Sequence, residues 1–123
     1  MLKLTVLGNL GGDAEVKSVG DRSVISFNVA HNERYRDKAS QSWQERTIWV
    51  RCNYWRDPQR TGVAEYLKKG VPVYIEGDLI VQAYTNKEGQ PTAGIDCRVR
   101  VLQLVGGSKN DSSQGGNEDD LPF

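Results

Sequence analysis

Only one stretch of this chain carries a convincing helical period, and it sits between strands. In Thr61 to Lys69, Thr61 is a capping residue, Val63, Tyr66 and Leu67 fall at i, i+3 and i+4, and Gly70 can stop the helix. Around it the period is two. Leu2 to Leu7 alternates and breaks at Gly8-Asn9, and Ser23 to Ala30 places Ile25, Phe27 and Val29 on one face. Residues 32–45 are polar and charged, a long hairpin arm or loop, and Thr47 to Trp55 is rich in β-branched and aromatic residues. Strands return at Val71 to Glu76, Leu79 to Thr85 and Gly94 to Val105, with Asn86-Lys87-Glu88-Gly89 turning the chain between the last two.

Three strands, a short helix and two or three further strands is the layout of an OB-fold. The expected class is therefore all-β, a five-stranded Greek-key barrel with its helix between the third and fourth strands. A length of 123 residues allows one such domain and a tail. The expected division is a barrel over 1–105, a flexible linker over 106–117 and an acidic tip over 118–123. The linker is almost wholly Gly, Ser, Asn, Gln and Asp, the composition of a disordered tether. The tip ends Asp119-Asp120-Leu121-Pro122-Phe123, a hydrophobic hook on an acidic line. Pro122 fixes φ and Phe123 offers both a ring and a carboxylate to a basic pocket, so these five residues read as a peptide presented to other proteins.

The formal net charge is zero, and it hides an asymmetry. Residues 1–105 hold fifteen Lys/Arg against twelve Asp/Glu, whereas residues 106–123 hold one against four. A mildly basic body suits a polyanion and an acidic tail suits basic partners.

The third strand carries the chemistry. Its alternation sends Ile48, Val50, Cys52 and Tyr54 one way and Trp49, Arg51, Asn53 and Trp55 the other. The first set makes a core face. In the second, burial would leave Arg51 an unpaired charge costing several kcal/mol. Exposure instead makes two rings with a cation between them, a platform for single-stranded nucleic acid on which each stacked base contributes about 1–3 kcal/mol. The competing reading buries both tryptophans against the barrel end or a subunit partner. A second aromatic–basic cluster is Arg34-Tyr35-Arg36-Asp37-Lys38, where a ring between two arginines can stack a base while the guanidinium groups meet phosphates. Tyr84, just before the last turn, is a third candidate and Trp43, in the polar arm, a fourth. The cations expected to neutralise phosphates are Lys3, Arg34, Arg36, Arg51 and Arg56.

Catalytic motifs are absent: no GxSxG, HExxH or phosphate-cradling glycine loop, and no Cys and His close in sequence. Cys52, Cys97 and His31 are isolated and fall short of the roughly four ligands of a zinc site. The expectation is a non-enzyme without metal or cofactor, its cysteines buried in a reducing compartment. Met1 to Val6 enters strand-like sequence with no apolar signal region, and no run is long enough to span a bilayer, so a cytoplasmic, nucleoid-associated location is expected.

Several segments resemble the bacterial single-stranded-DNA-binding protein family. Lys3-Leu4-Thr5-Val6-Leu7-Gly8-Asn9-Leu10-Gly11 is similar to its first strand and turn, and Asp13-Ala14-Glu15-Val16 to the segment that follows. Tyr35-Arg36-Asp37-Lys38 resembles its aromatic-Arg-Asp-Lys element, and Glu65 to Gly70 with Val73 to Leu79 its helix end and fourth strand. Asp119 to Phe123 resembles its acidic tip. The resemblance implies stacking aromatics at Tyr35, Trp49, Trp55 and Tyr84, and a homotetramer of OB-folds with single-stranded DNA wrapped around it. It also implies a tip that recruits replication, repair and recombination proteins. The chain departs from the pattern in carrying the smaller tyrosine rings at 35 and 84 and no basic residue in Ile80 to Ala83. Two rival classes remain open at this stage: an RNA chaperone on the same fold, and an interaction scaffold that uses the Trp49/Trp55 face as an oligomer interface.

Overall fold

The computed structural model describes residues 1–106, so the acidic tip at 118–123 and the linker beyond Gly106 lie outside the described residues. Six strands run in chain order: β1 (Lys3–Leu10), β2 (Glu15–Val19), β3 (Arg22–Arg36), β4 (Trp43–Arg56), β5 (Pro72–Thr85) and β6 (Pro91–Leu104). Their spatial order is β1-β5-β6-β4-β3-β2, and a further β1–β3 pairing through Asn9↔Ala30 and Leu10↔Val29 closes five of them into a barrel. Neighbours pair antiparallel except β4 with β6, which run parallel from Val50↔Ile95 to Asn53↔Arg98. This is the OB-type barrel, and the helical segment falls between its third and fourth strands.

The alternation of each strand fills the barrel. Val6 and Leu10 of β1, Ile25, Phe27 and Val29 of β3, Val50 and Cys52 of β4, Val73 and Ile75 of β5, and Cys97 and Val99 of β6 form the buried core. Each large side chain so removed from water contributes roughly 1.5–3 kcal/mol. Cys52 and Cys97 face each other across the parallel pairing, both free and both buried, as expected of small hydrophobes.

The helical segment differs from the expected helix. Two 3-10 turns occupy Pro58–Arg60 and Gly62–Tyr66, and Thr61 makes no side-chain cap. Their bonds close from i to i+3, as in Ala64 N–H to the Thr61 carbonyl at 3.0 Å and Leu67 N–H to the Ala64 carbonyl at 3.1 Å. So short a segment is a marginal α-helix on its own. Its packing role is to deliver Leu67, which is fully buried, while Tyr66 stays exposed.

The strands also differ from the expected ones. β1 continues through Gly8 to Leu10, because Gly8 marks a close approach and no break: a Cβ there would stand 2.4 Å from the Ala30 carbonyl oxygen. The two strands expected over 71–85 are one, with a bulge at Glu76/Gly77 where a Cβ would meet the Arg98 carbonyl oxygen at 2.1 Å. The short β2 was not expected, since all five of its residues are exposed and it shows no apolar alternation.

Beyond the barrel, two ribbons project. β3 and β4 stay paired out to Arg36↔Trp43, turning the polar arm into a regular hairpin, and β5 and β6 do the same out to Thr85↔Pro91.

Candidate nucleic-acid interface

β4 sorts its side chains as its period of two requires. Val50 and Cys52 are buried in the core, whereas Trp49 keeps 54% and Trp55 38% of its surface exposed. A tryptophan on a sheet face needs support, and Trp49 finds it on Gly11: a Cβ built there would lie 2.5 Å from Cζ3 of the indole. Trp55 stands opposite Val24, which is buried although it belongs to the outer face of β3.

Arg51 lies between the two rings and is already engaged. Its Nε donates to Asp96 Oδ1 and its Nη2 to Asp96 Oδ2, both at 3.2 Å, across the parallel β4–β6 pairing. The guanidinium is more than half exposed, with the carboxylate mostly covered beneath it. The burial dilemma that Arg51 poses in the sequence is thus resolved by a partner 45 positions away, which no spacing rule could find. Beside Arg51 runs an open groove of about 390 Å³ lined by Lys17, Ser26, Asn28, Arg51 and Asn53 among others. Ser26 Oγ donates to Asn53 Oδ1 at 2.9 Å, which fixes one wall.

Tyr84 belongs to the same outer surface. The register aligns Tyr84 with Thr92 and Gln82 with Gly94, on the face that Asp96 shares, and a Cβ on Gly94 would come within 2.9 Å of the Tyr84 ring. Both rings therefore rest on glycines.

Tyr35 is placed differently. The register puts Tyr35 opposite Gln44, on the face of the arm ribbon that continues the core side, away from Trp49 and Trp55. Arg34 and Arg36, its neighbours in sequence, point to the other side for the same reason. The cation over the Tyr35 ring is Arg46, 5.3 Å from its centroid and itself held by Glu33 Oε1 at 2.9 Å. Sequence reasoning missed Arg46, because only the strand pairing brings it there.

The remaining cations scatter. Arg34 sits 5.1 Å from the centroid of Trp43, and Arg36 Nη2 donates to Gln41 Oε1 at 2.9 Å. Arg56 turns onto Tyr54, with its guanidinium 4.9 Å from the ring centroid. Lys3, on β1, pairs with Glu76 at 3.2 Å. Tyr74's hydroxyl first and Lys3 second hold the Glu76 carboxyl below its ordinary range, and Arg100 does the same for Asp78. Among the described residues no group of three or more His, Cys, Asp or Glu is placed to hold a metal. No helix among them is long and apolar enough to cross a membrane.

Residues 1–105 match the sequence profile of the Single-strand binding protein family. The chain belongs to that family. It is 30% identical over 116 residues to "Single-stranded DNA-binding protein 1" of Xylella fastidiosa (strain 9a5c), which covers 94% of this chain and 84% of that protein. It is 31% identical over 114 residues to "Single-stranded DNA-binding protein" of Chlamydia muridarum (strain MoPn / Nigg), covering 92% of this chain and 68% of that one. Among solved structures, a small single-stranded DNA-binding protein from Streptomyces coelicolor superposes with a TM-score of 0.66 at 21% identity, over 93% of this chain and 97% of its own, which shows the shared fold. A Plasmodium falciparum SSB in complex with ssDNA superposes with a TM-score of 0.67 at 25% identity, over 85% of this chain and 95% of its own. As a member of the single-strand binding protein family, the chain carries its exposed tryptophans on the outer face of a family barrel.

Proposed function

We propose that this protein binds single-stranded DNA without regard to sequence, by stacking bases on Trp49, Trp55, Tyr84 and Tyr35. The observation that carries this is the exposed Trp49–Arg51–Trp55 face of β4, whose opposite face is core. A ring can stack on any base, which is why such a surface tolerates sequence. Arg34, Arg36 and Arg51 share that outer side of the β3–β4 ribbon and neutralise phosphates there, and Lys3 and Arg56 do so on other flanks of the barrel. A strand that meets all of them passes around the domain. Membership of the single-strand binding family and the likeness to a neighbour held with ssDNA support this reading.

The division into a DNA-binding barrel (1–105), a tether (106–117) and an acidic tip (118–123) belongs to the same proposal. The barrel protects single strands during replication, recombination and repair. Four copies assemble as a homotetramer, and Asp119, Asp120, Leu121, Pro122 and Phe123 recruit partner proteins. The protein works in the cytoplasm, on the nucleoid, as a binder with no catalytic step.

Filter binding of oligo-dT, oligo-dA and oligo-dC across a salt series tests the core of this. Similar affinities that fall linearly in log–log form as salt rises are expected. Strong preference for duplex DNA of equal length would overturn the reading.

A further inference from the structure

The three tryptophans of this chain stand on one face of one strand. They are Trp43, Trp49 and Trp55, all within β4 and six residues apart, so the period of two aims them the same way. Trp43 is the most exposed of them, at 60%. It lies outside the barrel: β4 pairs with β6 from Val50 to Asn53, and at Trp43 the sole neighbouring strand among the described residues is β3. Two cations accompany it on its own face, Arg36 directly opposite and Arg34 with its guanidinium 5.1 Å from the ring centroid, against one acid, Glu45 opposite Arg34.

We propose that Trp43, with Arg34 and Arg36, is a further stacking station, the third on β4, that carries the single strand out along the β3–β4 arm. This rests on the reading that Trp49 and Trp55 bind single-stranded DNA. Each six-residue interval of β4 spans about 20 Å, so the three rings mark a track of about 40 Å along the strand. At the stacked rise of 3.4 Å per nucleotide that length holds about a dozen nucleotides, within the range of about 4–16 for a single OB-fold. Arg34 already sits against the indole in the way a guanidinium sits beside a stacked base, and its charge is then available to the phosphate next to it. The track makes binding depend on length: a short strand occupies Trp49 and Trp55, and only a longer one reaches Trp43.

Two single-tryptophan proteins test this, W49F/W55F retaining Trp43 and W43F/W55F retaining Trp49, each titrated with oligo-dT of about 6 and about 16 nucleotides. The expected result is quenching of Trp49 by both lengths and of Trp43 by the longer alone. In the otherwise unaltered chain, Trp43→Ala weakens binding of the longer oligomer by about fivefold or more and leaves the shorter unchanged. Quenching of Trp49 without any response of Trp43 to the longer strand overturns the third station and leaves the proposed function standing. Silence from both tryptophans overturns both. Trp43 already shielded from acrylamide before DNA is added would assign the arm to contact with a second copy of the chain, and that too overturns the proposal.

Discussion

Arg51 of β4 and Asp96 of β6 lie directly opposite each other in the parallel pairing of the barrel and form a bidentate ion pair, with Nε and Nη2 each 3.2 Å from a carboxylate oxygen. The pair sits on the outer face between Trp49 and Trp55, so the cation best placed to meet a phosphate is held by an internal competitor. Asp96→Asn keeps the shape and removes the competing charge. It should raise affinity for oligo-dT and steepen the salt dependence by about 0.7 in log–log slope, the increment for one further phosphate on a single strand. Unchanged affinity and slope would show that Arg51 plays no part in phosphate binding.

The seat of Trp49 offers a subtler test than deleting the ring. A Cβ at Gly11 would stand 2.5 Å from Cζ3, so Gly11→Ala must tilt the indole away from the sheet. The substitution should reproduce part of the loss caused by Trp49→Ala, itself about 1–3 kcal/mol for every base composition. Thermal unfolding should show little change, because both residues lie at the surface. A large drop in melting temperature with affinity preserved would mean that the contact serves the fold and not the strand.

Asp78 and Arg100 give the protein an acid sensitivity outside the interface. Arg100 Nη2 lies 2.9 Å from Asp78 Oδ2 and holds that carboxyl below its ordinary value of 3.8. A pKa depressed in the folded state contributes stability above the unfolded value and loses it as pH falls through the folded one. Denaturant midpoints measured from pH 6 down toward about pH 3 should therefore fall less steeply in Asp78→Asn than in the unaltered protein. Parallel curves for the two proteins would rule this pair out as a contributor.

Deleting residues 119–123 separates the two proposed activities. DNA affinity should hold or rise slightly, because an acidic segment competes with DNA for the basic barrel, while capture of partner proteins is lost. Loss of oligo-dT binding on that deletion would contradict the division of labour.

Local pattern made the barrel legible and pairing over long distances made it incomplete. The faces of β4 could be read from the sequence because its two alternating sets differ so sharply in chemistry, Val50 and Cys52 against Trp49 and Trp55. β2 could not be read, since a strand with neither face in the core carries no apolar period. The helix expected from Val63, Tyr66 and Leu67 became 3-10 turns, because burying Leu67 needs no full helical turn on either side of it. The site was legible where one strand carries it and illegible where strands meet. Trp49 and Trp55 follow from alternation alone, but the Asp96 clamp on Arg51, the Arg46 contact with Tyr35 and the glycines beneath Trp49 and Tyr84 depend on register.

The most direct measurement is a titration of intrinsic tryptophan fluorescence in the unaltered protein with oligo-dT, beside oligo-rU and duplex DNA of equal length. Stacking on the β4 face predicts strong quenching by oligo-dT, weaker quenching by oligo-rU and almost none by the duplex, whose bases are not free to stack. Equal quenching by oligo-rU would point to RNA as an equal ligand, and no quenching by any of the three would contradict the central claim and return the tryptophan face to a protein interface.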